Sequence, residues 1–410
     1  MSSSYRRVTY LALAVGAACS LGAAGTAHSA QTFIQPQMDL RAETNSNVDL
    51  DPDGSPDGTV EGYIANLEVL LGYATPRSET SIRPRLRLQH YPDRDERQKV
   101  EGFLDWVTHY QWQRSQFDIL ARYSHQDSYN FDTRSGEFDP LDPNDPTAAG
   151  SGRFLTGQTQ TDVEVRPNYS YNLTERLSVG VGGDYQTTSY DADKGPARYV
   201  DYDFWLVNAN LRWALDERSH VGVGGYYSEY DPQIGRGASD SYGVAVIYDH
   251  MWSEVMGLEA TLGYETNEQK EPAPGGQGDQ STSSVGGSIG AHGEGEVSKW
   301  RVVASQRYAP SGDGRMRQIG QVRFQYDRKF TERLSFQGVA RYESQEQLSG
   351  SNRFNKDTGR LDTSLRWRLS PTWYLQGGYV YVWQKEGTEG DADNNKIYLS
   401  VGYKGLRRKR

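Results

Sequence analysis

The sequence has one cysteine, Cys19, near its start. Beyond it there is no disulfide framework, no thiolate metal site and no cysteine nucleophile. A chain exported to an oxidising compartment loses nothing by lacking thiols. Long apolar runs are missing too. Past Ala30 no window offers the stretch that a spanning helix needs, and the mean hydropathy is −0.77. Positive charge is in deficit: 44 Lys and Arg stand against 54 Asp and Glu, a formal net charge of −10. That is not the balance of a nucleic-acid binder.

What is present begins with an export signal. Arg6 and Arg7 give a basic start, Leu11 to Ala24 is an apolar run of small residues, and Ala27, Ser29 and Ala30 offer a cleavage site. Residues 1–30 therefore read as a cleaved secretory signal. Gly16-Ala17-Ala18 lacks the large aliphatic residue that would precede a lipidated Cys19. Cleavage removes two arginines and no acid, so the formal net charge moves from −10 to −12.

Residues 31–404 repeat a hairpin. In Phe33–Asn45, Ile34, Met38, Leu40 and Ala42 fall on one face and Gln35, Gln37, Asp39, Arg41 and Glu43 on the other. The period is two, which is a strand with one apolar and one wet face. Runs of this kind recur to Lys404 and number about 18, an even count as single-chain bacterial barrels have, with about 16 inside the error of boundary placement. The joints alternate between short turns, such as 172–176, and long polar loops, such as 46–60. This pattern predicts an all-β fold, a transmembrane antiparallel β-barrel with no plug domain. Only alternate strand residues of a barrel face lipid, so a negative hydropathy fits it. The 28 Tyr and 9 Trp suit two interfacial girdles. The first joint is long, so the first strand runs outward and both termini are expected in the periplasm of a Gram-negative bacterium. Four short turns resemble one another, among them Leu173-Thr174-Glu175-Arg176 and Phe330-Thr331-Glu332-Arg333.

The last strand places Ile397, Leu399, Val401 and Tyr403 on one face. It resembles the C-terminal signal that outer-membrane barrels present to the barrel-assembly machinery. The departure is a basic tail, residues 405–410, after the aromatic. Two short motifs, Asn45-Ser46-Asn47-Val48-Asp49-Leu50 and Val401-Gly402-Tyr403-Lys404-Gly405-Leu406-Arg407, carry a wider resemblance. The chain resembles the outer-membrane β-barrel porins found with bacterial exopolysaccharide and exosortase (PEP-CTERM) systems. The resemblance implies a passive barrel, a conduit for secreted polysaccharide with periplasmic export proteins as partners, and no catalytic residues.

Candidate lumen residues follow from the wet faces. Arg83, Arg85 and Arg87 are three basic side chains on one face of one strand, and Arg41, Arg122, Arg166, Arg323, Arg341, Arg366 and Arg368 fall on inward faces as well. Glu101, Asp105 and Glu164 share those faces. Such charges set the selectivity of a wide pore or cross-pair along its wall. Asp49, Asp51 and Asp53 open a calcium-type loop, but Val60 stands where the closing glutamate belongs. The longest loop, 129–157, would put Asp139, Asp142 and Asp145 at a constriction if it folded inward. The histidines lie in no catalytic motif. The expectation is a non-enzymatic channel for polar solutes or polysaccharide, needing no cofactor and in contact with outer-membrane lipid and lipopolysaccharide. The competing expectation is a structural or adhesive surface barrel without transport.

Overall fold

The computed structural model describes residues 30–48, 50, 58–92, 98–127, 159–191, 199–233, 238–270, 280–312, 315–347, 355–387 and 390–409. The signal segment, the calcium-type acids Asp49, Asp51 and Asp53, and the loop 129–157 lie outside them. Nine strands form the first half: β1 (Gln31–Asn45), β2 (Val60–Ala74), β3 (Ser78–His90), β4 (Lys99–Gln111), β5 (Ser115–Asp127), β6 (Thr159–Asn172), β7 (Leu177–Tyr190), β8 (Tyr202–Ala214) and β9 (Ser219–Pro232). Nine more form the second: β10 (Ser239–Ser253), β11 (Met256–Gln269), β12 (Gln280–Glu294), β13 (Ser298–Ser311), β14 (Arg315–Lys329), β15 (Leu334–Gln347), β16 (Asn355–Arg368), β17 (Trp373–Glu386) and β18 (Gly390–Lys404). Each pairs antiparallel with its neighbours in sequence, and β1 pairs with β18 from Gln37↔Lys404 to Asn45↔Lys396. The result is a closed 18-stranded antiparallel barrel. Closure removes the unpaired edges that an open sheet would present.

The period-two pattern sorts the faces. Leu67, Leu86, Val181, Val223, Val246, Leu262, Phe324, Leu365 and Leu399 are all exposed on one face. Tyr and Trp bound this band, with Tyr63, Tyr185, Tyr242 and Tyr264 towards the long loops and Trp213, Trp252, Trp367 and Trp373 towards the short turns. At the loop-side girdle the polar ring atoms meet carboxylates: Trp205 Nε1 donates to Glu229 at 3.1 Å and the Tyr242 hydroxyl to Glu268 at 3.0 Å. An aromatic with one wet edge suits a boundary between lipid and water. Ile397, Leu399, Val401 and Tyr403, expected from the sequence to form an insertion signal, lie on this same outer face of β18.

The repeated turn motif has a hydrogen-bonding cause. Thr174 Oγ1 accepts from the amides of Arg176 and Leu177, and Thr331 Oγ1 from those of Arg333 and Leu334. Thr75 and Ser370 do the same in their turns. Short hydroxyl side chains close such turns by mimicking a backbone acceptor. In the turn before β9, Asp216 takes the role; the Arg218 amide donates to it and holds its carboxyl below the usual range. The residue that ends each turn accepts from the next hairpin, as where Arg77 O takes Gln111 N at 2.7 Å and Arg333 O takes Arg368 N at 2.7 Å.

The basic tail differs from a solvated end. After Gly405, a two-residue strand β19 (Arg408–Lys409) pairs with Ile34 and Phe33 of β1. Arg407 lies 3.4 Å over the Phe33 ring and reaches Glu79 at 3.3 Å. The chain thus continues the closing seam beyond Tyr403, because β1 starts early enough to offer a partner.

Candidate functional site

The polar face looks inward, since two segments from the long-loop end pack onto it. The first is the lead-in to the first loop. Val48 is buried against Val60 and Tyr91, and Leu50 against Val380, Val382 and Ala392. Asn47 N donates to Asn394 Oδ1 at 3.3 Å, and Asn395 N to Ser46 Oγ at 2.9 Å. Leu50 has φ +50°, a region that costs a non-glycine residue about 1–3 kcal/mol. Its burial, 3% exposed, offsets that cost.

The second segment is the β13–β14 hairpin. The β12–β13 ladder stops at Gly287↔Gln306, although β13 continues to Ser311 and stays paired with β14 to its end. Gly287 at φ +151° marks the split; a Cβ there would meet Thr261 O at 2.1 Å, so only glycine fits. Past it the hairpin crosses the mouth towards β7–β9. Its tip accepts two hydrogen bonds, Gly312 O from Val200 N at 2.8 Å and Ser311 O from the Tyr230 hydroxyl at 2.7 Å. Tyr308 and Met316 join Tyr202, Phe204 and Tyr230 in one buried cluster. Among the described residues, the inward segments are therefore the lead-in to the first loop and this short hairpin.

Below the mouth the wall divides by charge. On one side the network runs unbroken from β3 to β7. Arg83 meets Asp105 at 2.9 Å, Asp105 meets Arg122 at 3.8 Å, and Arg122 meets Glu164 at 3.7 Å. Arg166 bridges Glu164 and Asp184, the latter at 3.1 Å. Arg87 meets Glu101 at 3.4 Å, and Arg85 lies 4.4 Å over Phe103. The three-arginine ladder of β3 thus finds acids or an aromatic face on β4. Arg41 lies over Tyr398 at 4.1 Å, and Lys396 meets Glu43 at 3.4 Å.

On β14, β15 and β16 the register places Arg323, Arg341 and Arg360 directly opposite one another. Like charges facing across strands repel. Glu343 and Asp362 offset part of this, pairing with Arg341 and Arg360 respectively. Arg360 escapes notice in the sequence because it sits where the alternation of its strand starts; its even spacing to Arg366 and Arg368 is the signal that finds it. Arg366 and Arg368 lie further towards the short turns on the same face.

The opposite wall carries a small, uncharged rung between charged residues such as Arg212 with Asp249 and the buried Glu265. Asn210, Gly224, Ala245, Gly263 and Gly286 form one rung across β8–β12. Its middle strand, β10, lies nine strands from β1, where the basic arc is centred. The inner wall is thus cationic on one side and recessed on the other.

Among the described residues, three histidines make side-chain contacts short enough to test for chemistry, and one of these is only a pair, His125 Nδ1 at 2.9 Å from Thr161 Oγ1. His109 Nδ1 lies 2.6 Å from Asp118, with Gln116 on the other carboxylate oxygen. Ser219 Oγ lies 3.0 Å from His250 Nδ1 and donates to Asp216 at 3.1 Å. A hydroxyl whose proton is held by a carboxylate is not delivered to the histidine, so this trio lacks the order of a nucleophilic triad. Among the described residues, no group of three or more His, Cys, Asp or Glu is arranged to hold a metal.

No protein-family model matches the sequence, and no curated protein does. Solved structures similar to it include a BenF-like porin from Pseudomonas fluorescens Pf-5, at 12% identity and TM-score 0.48, with 93% of this chain and 100% of that one covered. OccAB3 of Acinetobacter baumannii is 11% identical at TM-score 0.47, covering 91% and 99%. Pseudomonas aeruginosa OpdK with vanillate is 14% identical at TM-score 0.47, covering 94% and 100%.

Proposed function

We propose that this chain is a passive outer-membrane channel for small polar solutes, with a preference for anions. The observation that carries the reading is the rung of Arg323, Arg341 and Arg360 on a polar inner wall. Barrels of about 16–18 strands are wide enough to leave an aqueous passage. Cationic side chains on such a wall lower the barrier for anions and raise it for cations. The apolar band between two aromatic girdles supports a place in lipid. The short turns then face the periplasm and the long loops the outside, with both termini periplasmic. The outer face of β18 suits recognition by the barrel-assembly machinery.

A polysaccharide conduit fits less well. A polymer needs a clear bore from end to end, and Val48, Leu50 and the β13–β14 hairpin stand in the mouth. The same segments favour a second reading, a surface barrel whose mouth is blocked. Swelling of liposomes containing the purified barrel separates the three. The expected rates fall in order from a singly charged sugar acid to a neutral monosaccharide to a long oligosaccharide. An oligosaccharide entering as fast as the monosaccharide would support the conduit, and no swelling in any solute would support the blocked barrel.

A further inference from the structure

Where the β13–β14 hairpin turns inward, it leaves one edge of β12 behind. β12 stays paired with β11 to Gln269↔Gln280, but its ladder to β13 stops at Gly287↔Gln306. Among the described residues, no strand takes the place of β13 along the edge 280–286. Unpaired strand groups are tolerated in a membrane wall only against protein or water. Two side chains reach across this seam instead. Gln306 Nε2 donates to Val285 O at 3.1 Å, and the Tyr308 hydroxyl to Thr282 O at 3.3 Å. The wall is thus latched by side chains here, whereas the β11–β12 and β13–β14 seams beside it are bonded by backbone.

The two sides of the seam differ in polarity. On the outer side Leu262, Tyr264 and Val285 are exposed. Tyr264 pairs with Val285, so the seam opens at the level of the loop-side aromatic girdle. On the inner side Glu265 is buried. Its carboxylate accepts from the Tyr226 hydroxyl at 2.6 Å and from Ser284 Oγ at 3.5 Å. Gly286 makes room for it, since a Cβ there would meet the Glu265 carboxylate at 2.6 Å. The positive charge of Arg307, next to Gln306 on β13, acts on that carboxylate. The opposite charges offset each other, so the inner side offers hydrogen bonds with little net charge. Across the width of one strand the seam passes from apolar to polar. The molecule that matches this order has one apolar chain and an uncharged head with hydroxyls, because an ionic head would meet a like charge in one member of the pair.

We propose that the β12–β13 seam is a lateral passage by which a single-chain amphiphile with an uncharged, hydroxylated head moves between the membrane and the lumen. It goes beyond the channel reading and rests on it for the barrel's place in lipid. The experiment uses proteoliposomes of the purified barrel that contain a monoacylglycerol with a diazirine in its head. Light is expected to attach the probe to Glu265 inside the seam and to Glu268, which is exposed on the outer face of the same strand. Joining Val285→Cys to Gln306→Cys with a short bismaleimide is expected to bring the Glu265 label to background and to leave the Glu268 label. Residues 31–410 have no other cysteine. Gln306→Ala, which removes one latch, is expected to raise the Glu265 label roughly fivefold, the worth of about one hydrogen bond. No Glu265 label in the parent, or one that survives the link, overturns the passage; if the linked pair fails to fold, an unchanged label in Gln306→Ala does so. Liposome swelling in a neutral monosaccharide is expected to be the same with and without the link. A barrel that takes the Glu265 label without any swelling defeats the channel reading alone, and one that swells liposomes without that label defeats the passage alone.

Discussion

A Tyr230→Ala, Met316→Ala double variant is expected to conduct more than the parent and to admit larger neutral polymers. Both side chains are fully buried in the seat that holds the β13–β14 hairpin across the mouth. Truncations of this kind cost about 2–5 kcal/mol each, and roughly 1.4 kcal/mol already changes an equilibrium tenfold. The variant also loses the bond from the Tyr230 hydroxyl to Ser311 O. The backbone bond between Val200 and Gly312 and the trimmed aromatic cluster remain among the contacts of the tip. The barrel itself is expected to stay closed, because the β12–β13 ladder below Gly287 does not involve the seat. Single-channel recording together with polymer exclusion reads the result. Unchanged conductance and cut-off in the folded variant would mean that the hairpin does not limit the passage.

The second large effect concerns stability. Glu164 is 3% exposed and stands between Arg122 and Arg166. Glu164→Ala leaves the buried Arg166 and the half-buried Arg122 with one acid fewer, and breaking a buried pair from one side costs about 3–5 kcal/mol. Asp105 and Asp184 remain as partners, which favours the lower end of that range. The temperature at which the folded barrel changes mobility on a denaturing gel is expected to drop clearly. Glu332→Gln, in an exposed turn, is the control and should stay within about 0.5 kcal/mol of the parent. Equal behaviour of the two variants would mean that the charged mesh does not hold the wall together.

The barrel was legible in the sequence because period-two alternation states which face a residue occupies. Arg83 and Asp105, or Arg122 and Glu164, share an inward face by spacing alone. Which of them meet is a matter of register, and the short turns set it through contacts such as Thr174 on Leu177 and Thr331 on Leu334. Spacing within one strand does not contain that information. For this reason the opposition of Arg323, Arg341 and Arg360 could be seen only once the strands were paired.

The inward hairpin was hidden for a different reason. Ala309 and Met316 lie on opposite faces of their hairpin, and both are buried. Alternation assigns one of the two to lipid, yet a hairpin inside the mouth is covered on both sides. Tyr308 and Met316 among polar neighbours were the available hint. The pairing of the tail is not contained in its own sequence, because its partner is the start of β1, more than 370 residues away.

The most direct measurement of the central claim is planar-bilayer recording of the purified, folded barrel under a potassium chloride gradient. Stepwise ion conduction is expected, with a zero-current potential of the sign set by chloride preference. A barrel shown to be folded that gives no conductance steps, or that conducts with a cation-selective potential, would contradict it.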